Sequence, residues 1–178
     1  MQVINFLAEK YYKIAYDTFF YIEDNKKAHK YVEYALKESP KHKKALRLKG
    51  GMFILEDKIT QALNIWQKLY DMGENDFEVT SKLAYCYSQK GEYSKALEFC
   101  EKSALNVALG DSEKMFSLYR LKIDLLLNIN KPLSALKLFK NALKILSSTY
   151  ASELKSSYSF LTFYKDSVIS LKNVKRAF

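Results

Sequence analysis

Apolar positions recur at helical spacing along most of the chain, and the residues that interrupt them are few. Between Ser81 and Leu105, the residues Leu83, Ala84 and Tyr87 share one face at i, i+1, i+4 spacing, and Gly91 then breaks the run. Tyr93, Ala96, Leu97, Cys100 and Ala104 rebuild a second apolar face at 3.6-residue periodicity. The pattern predicts a helix, a tight turn and a second helix, with small residues where the two must approach closely. Polar residues supply further boundaries. Asp24 or Asn25 is placed to cap one helix and Asp57 another. Asn75 followed by Glu78 has capping-box spacing for a helix over 76–89. Asn130-Lys131-Pro132 opens a helix, because proline is tolerated in the first turn, and Gly110-Asp111-Ser112 marks a turn. Only 5 Gly and 2 Pro among 178 residues leave little punctuation for strands, so the prediction is an all-α fold in a single domain over 1–178.

The helix–turn–helix pattern recurs. The small residue inside each second helix is Ala28, Ala62, Ala96 and Ala135, at intervals of 34, 34 and 39 residues. Twelve positions earlier stand Tyr16, Gly50, Ala84 and Ile123, and nine earlier Phe19, Phe53, Tyr87 and Leu126. Four positions later come Val32, Trp66, Cys100 and Phe139, and seven later Ala35, Leu69, Ser103 and Ala142. Over residues 9–149 this register resembles the tetratricopeptide repeat family, whose period is about 34 residues. Pro40 falls where that family places its repeat-ending proline, whereas Tyr16 and Ile123 depart from its small residue. The resemblance implies a right-handed superhelical solenoid of about four repeats, at 9–42, 43–76, 77–110 and 116–149. A further helical stripe of Leu154, Tyr158, Leu161, Val168 and Leu171 predicts one helix over 150–172 that caps the last repeat.

The resemblance also implies a use. First helices of such repeats line a concave groove that holds an extended peptide or a helix. The family's groove columns fall on Lys13, Asp17 and Phe20 in the first repeat and on Lys44, Arg47 and Gly51 in the second. The third repeat contributes Ser81, Tyr85 and Ser88, the fourth Arg120, Asp124 and Leu127. Lys44 and Arg47 are expected to meet carboxylates of a ligand, and Tyr85 to offer a flat apolar contact. The columns that form a clamp for chaperone tails hold Lys13, Asp17, Leu48, Glu78 and Lys82, without the clamp's asparagines, which argues against that subtype. The expectation is a non-catalytic interaction module, an adaptor, scaffold or small chaperone, binding a segment of another protein.

Charge adds two alternatives. Net charge is +9, and all of it resides in 114–178, where 12 Lys and Arg face Asp124, Glu153 and Asp166. A basic third suits a helical-repeat RNA binder. Against that stand the scarcity of arginine (Arg47, Arg120, Arg176) and the lack of a repeated polar pair for reading bases. Phe160, Phe163 and Ile169 lie off the main stripe of the last helix, which suits a structural subunit that self-associates as a homodimer through it.

Chemistry is weakly represented. His29 and His42 read as surface histidines without ligand-spaced partners, Cys100 as a buried inert thiol and Cys86 as partly exposed. The two cysteines make neither a metal spacing nor a disulfide framework, and Gly50-Gly51 lies inside a helix rather than in a phosphate loop. No catalytic residue, metal or cofactor is expected. The opening MQVINFLAEKYYK lacks a signal-peptide pattern, and no window approaches the ~18 apolar residues of a membrane span. The expectation is a cytoplasmic protein.

Overall fold

The computed structural model describes residues 2–108, 111–159 and 161, which are helical apart from short turns. They divide into two compact units, Met1–Asn75 and Asp76–Phe178. The first holds α1 (Gln2–Asp17), a π-helical turn (Thr18–Ile22), α2 (Asn25–Glu38), α3 (Lys43–Leu55) and α4 (Ile59–Asp71). The second holds α5 (Phe77–Gln89), α6 (Tyr93–Ala104), α7 (Ser112–Asn128), α8 (Pro132–Ile145) and α9 (Ser148–Ser157).

Consecutive helices pack in pairs, α1 with α2 and α3 with α4 in the first unit, α5 with α6 and α7 with α8 in the second. Within a unit the first helices of successive pairs also touch, α1 with α3 and α5 with α7. Ala28, Ala62, Ala96 and Ala135 are all fully buried, as are Val32, Trp66 and Phe139 four positions on and Ala35, Leu69, Ser103 and Ala142 seven on. Gly50 shows why small residues stand opposite large ones. A Cβ added there would lie 2.7 Å from the ring of Trp66, so the indole packs directly on the α3 backbone.

The backbone carries the same interval. Glu23, Asp57, Gly91 and Asn130 each end a first helix with φ of 58, 56, 75 and 57°. After Asp57, Gly91 and Asn130 the next amide closes back over the helix end, Lys58 N–H to Phe53 O, Glu92 N–H to Tyr87 O and Lys131 N–H to Leu126 O. This is the left-handed C-terminal turn that satisfies orphan carbonyls. These four first-helix ends lie 34, 34 and 39 positions apart, in step with the buried alanines, while a fifth left-handed residue, Gly73, follows the second helix α4.

Helix starts agree in part with the sequence. Asp24 caps α2, its Oδ1 accepting from Lys27 N–H at 2.9 Å, and Pro132 opens α8. Asp57 caps nothing: it is the left-handed turn residue, and α4 begins after Lys58 without a side-chain cap. Asp76, not Asn75, caps α5, its Oδ1 accepting from Val79 N–H at 3.1 Å. Asp111 caps α7, which begins at Ser112. Of the helix expected over 150–172, α9 covers Ser148–Ser157 and a turn follows at Tyr158 and Ser159; Leu161 is again helical, and 160 and 162–172 lie outside the described residues. Its buried stripe of Leu154, Tyr158 and Leu161 joins the core of Phe116, Ile123, Leu136 and Phe139. Phe160, Phe163, Val168, Ile169 and Leu171 lie outside the described residues.

Tyr16 leaves its expected place in the packing. It is 38 % exposed, because α1 widens into the π turn two residues later and turns Thr18 and Phe19 inward instead. Ile123, the other large residue of that column, is fully buried.

Candidate interaction faces

In the first unit α1 and α3 lie side by side and present Lys13, Asp17 and Phe20 beside Lys44, Arg47 and Gly51. Phe20 is 51 % exposed and its ring meets that of Tyr16 at a tilt, with centroids 4.5 Å apart, while Tyr16 continues to Tyr12 at 6.1 Å, also tilted. A row of aromatic rings therefore runs from the half-buried Tyr12 through Tyr16 on α1 to Phe20 in the π turn, with Tyr16 and Phe20 exposed. Gly51 opens onto free space, with nothing within 4 Å of where a Cβ would stand.

The two cations expected to await a ligand are already engaged. Lys44 Nζ lies 2.6 Å from Glu9 Oε1, and Arg47 Nη2 lies 2.7 Å from Glu74 Oε2, which also takes Lys43 at 2.6 Å through Oε1. The Lys44 bond holds the Glu9 carboxyl below its ordinary range, against a smaller upward push from burial, and Lys43 with Arg47 does the same for Glu74. An incoming carboxylate must therefore displace an intramolecular one. Glu9 and Glu74 carried no local signal: each lies 27 or more residues from its partner, and only packing brings them together.

Both histidines differ from the sequence expectation. His42 is buried and caps α3, its Nδ1 accepting from Ala45 N–H at 3.2 Å while Nε2 meets Glu9 Oε2 at 3.0 Å. With Nδ1 accepting from an amide, the proton resides on Nε2, which donates to Glu9. His29 is half-buried, 2.6 Å from Glu56 Oε1. At Glu56 burial pushes the carboxyl upward, and the bonds from Lys58 and His29 together outweigh it. Both histidines tie one helix pair to the next.

In the second unit α5 presents Ser81, Tyr85 and Ser88, each half-buried, and α7 presents Arg120, Asp124 and Leu127. Ser81 Oγ donates to Glu78 O at 3.1 Å, and Leu127 packs against the unit's core. Asp124 is taken from inside: the Tyr158 hydroxyl donates to its Oδ1 at 2.7 Å and lies 3.3 Å from Arg120 O, so the end of α9 is latched to α7. Arg120 remains exposed.

Both cysteines are buried, Cys86 included, because α5 is enclosed over a broader face than its apolar stripe, with Val79, Thr80, Leu83 and Ala84 buried beside it. Burial pushes the Cys86 thiol up to about 11 and the Cys100 thiol up to about 12. Among the described residues no group of three or more His, Cys, Asp and Glu could hold a metal ion, and no helix is long and apolar enough to cross a membrane. No protein-family model and no curated protein sequence matches the chain.

Proposed function

We propose that the chain is a tetratricopeptide-like repeat protein and serves as a non-catalytic module that binds a segment of another protein along its first helices. The observation that carries this reading is the backbone repeat: four left-handed turns at Glu23, Asp57, Gly91 and Asn130, in step with four buried alanines five residues later. Side chain and main chain repeat at one interval, as they do when a helix pair is the structural unit. The first helices then offer their uncovered sides to a ligand. In the first unit Phe20 is the flat contact, Lys13 the exposed cation, and Lys44 and Arg47 the cations exchanged from Glu9 and Glu74 when an acidic residue arrives; in the second unit, taken by itself, Tyr85 is the flat contact and Arg120 the exposed cation.

The role fits an adaptor, scaffold or small chaperone. Phe160, Phe163 and Ile169, on which self-association through the last helix would rest, lie outside the described residues. The test is affinity capture from nuclease-treated lysate of the source cells with wild type and the Phe20→Ala/Tyr85→Ala variant, whose circular dichroism should match wild type. Proteins held by the wild type and lost by the variant are expected. A capture unaffected by the double substitution refutes binding along the first helices.

A further inference from the structure

Helix α8 is a second helix, so its solvent side is a different surface from the first helices read above as peptide-binding. Its inner side is spent on the core of the second unit, through Ala135, Leu136, Phe139 and Ala142. At 100° per residue, its exposed residues all fall within an arc of about 140°. Lys137, Lys140 and Lys144 lie within about 60° of one another on that arc. Leu133 lies among them and is 51 % exposed, while Ile145, 55 % exposed, flanks the arc in the last turn. Ser134 and Asn141 complete the face, and α8 carries no carboxylate.

The charge of this face is not cancelled locally. Among the described residues none of the three lysines has a carboxylate partner, whereas Lys114 and Lys122 of α7 are tied to Asp111 and Glu101. The helices packed on α8 are α7 and α9. Of their carboxylates, Asp124 takes the Tyr158 hydroxyl, and Glu113 and Glu153 are exposed, as are the cations Arg120 and Lys155. Over residues 112–157, 8 basic residues stand against 3 acidic ones, so an anionic surface is attracted to these helices as a group.

We propose that this face of α8 docks on the surface of a bilayer that contains anionic lipid. The lysines meet the headgroup anions, and Leu133 and Ile145, about 18 Å apart along the helix axis, enter the layer beneath them. The face itself selects this partner. An exposed leucine among lysines gains nothing from a phosphate–sugar backbone. The face also holds neither an arginine to grip phosphate bidentately nor an aromatic ring to stack on bases. Lysines on long flexible stems suit a fluid, planar layer of charge, which requires no matched pocket.

The full chain is mixed with vesicles of phosphatidylcholine, alone or with about 30 mol% phosphatidylserine, and binding is read by flotation. Expected is binding to the anionic vesicles only, lost as salt rises from about 0.1 to 1 M and the Debye length shrinks to about 3 Å. Each lysine held at such a surface tightens binding about fivefold, so Lys137→Glu/Lys140→Glu/Lys144→Glu should abolish it. Leu133→Ser/Ile145→Ser should weaken it about tenfold with the salt dependence retained. All five positions are exposed, so the circular dichroism of both variants should match wild type. Phe20→Ala/Tyr85→Ala should leave flotation unchanged, which separates this surface from the first helices. Equal binding to both kinds of vesicle, flotation that survives the lysine reversal, or none at millimolar lipid overturns the proposal. So does indifference to Leu133→Ser/Ile145→Ser, or a preference for oligothymidylate or polyglutamate over the vesicles at equal anionic charge.

Discussion

Glu23 occupies a left-handed conformation that its equivalents fill with aspartate, glycine and asparagine. For a residue with a long side chain that conformation costs about 1–2 kcal/mol, part of which glycine would return as extra freedom in the unfolded chain. Glu23→Gly is therefore expected to stabilise the first unit by about 0.5–1 kcal/mol, read as a higher midpoint in urea; a lower midpoint would contradict the turn geometry. The cysteines make a second prediction at this scale. Burial raises both thiols above the ordinary 9.0, to about 11 for Cys86 and about 12 for Cys100. The unfolded chain ionises first, so stability is full below pH 9 and declines as pH rises from there towards 11–12. At pH 8 a thiol reagent should leave the folded protein unmodified and react twice in denaturant. Rapid reaction of the folded chain would contradict the burial of both side chains.

At the scale of elements, the helix pairs were legible because their apolar stripes and small residues repeat at close range. Most boundary errors share one cause. Asp57 and Asn75 are good capping residues by type, yet one sits in a left-handed turn and the next residue, Asp76, takes the cap. Capping type is shared by turn formers, and only the path of the backbone tells them apart. Helix α9 shows what a single polar latch does. Burial, then the bond to Asp124, push the Tyr158 hydroxyl far above its ordinary range, so it remains a donor throughout physiological pH. Tyr158→Phe removes that donor and leaves the half-buried Asp124 unmatched, at an expected cost of about 1 kcal/mol in chemical denaturation. An unchanged midpoint would show that α9 is held by Leu154 and Leu161 alone.

At the scale of the molecule, each unit has its own core, Ala15, Ala28, Val32, Leu48 and Met52 in the first, and Phe116, Ile123, Phe139 and Leu154 in the second. The single tryptophan, Trp66, reports on the first unit, whereas helicity reports on both. Ala96→Leu overpacks the α5–α6 pair and is expected to destabilise the second unit by about 1–3 kcal/mol. The helicity midpoint should fall further than that of Trp66 fluorescence. An undisturbed helicity transition would remove Ala96 from the packing register. What the amino-acid sequence determined by itself was the local: helix content, the interval of 34, and the small residues that let paired helices approach. These follow from side-chain period and volume within a few turns of chain. What only the tertiary structure decided was the distant: that Lys44 and Arg47 are held by Glu9 and Glu74, that His42 is a buried cap, and that Asp124 belongs to Tyr158. Charge pairing across 27 or more residues depends on which helix faces are brought together, and no local pattern encodes that.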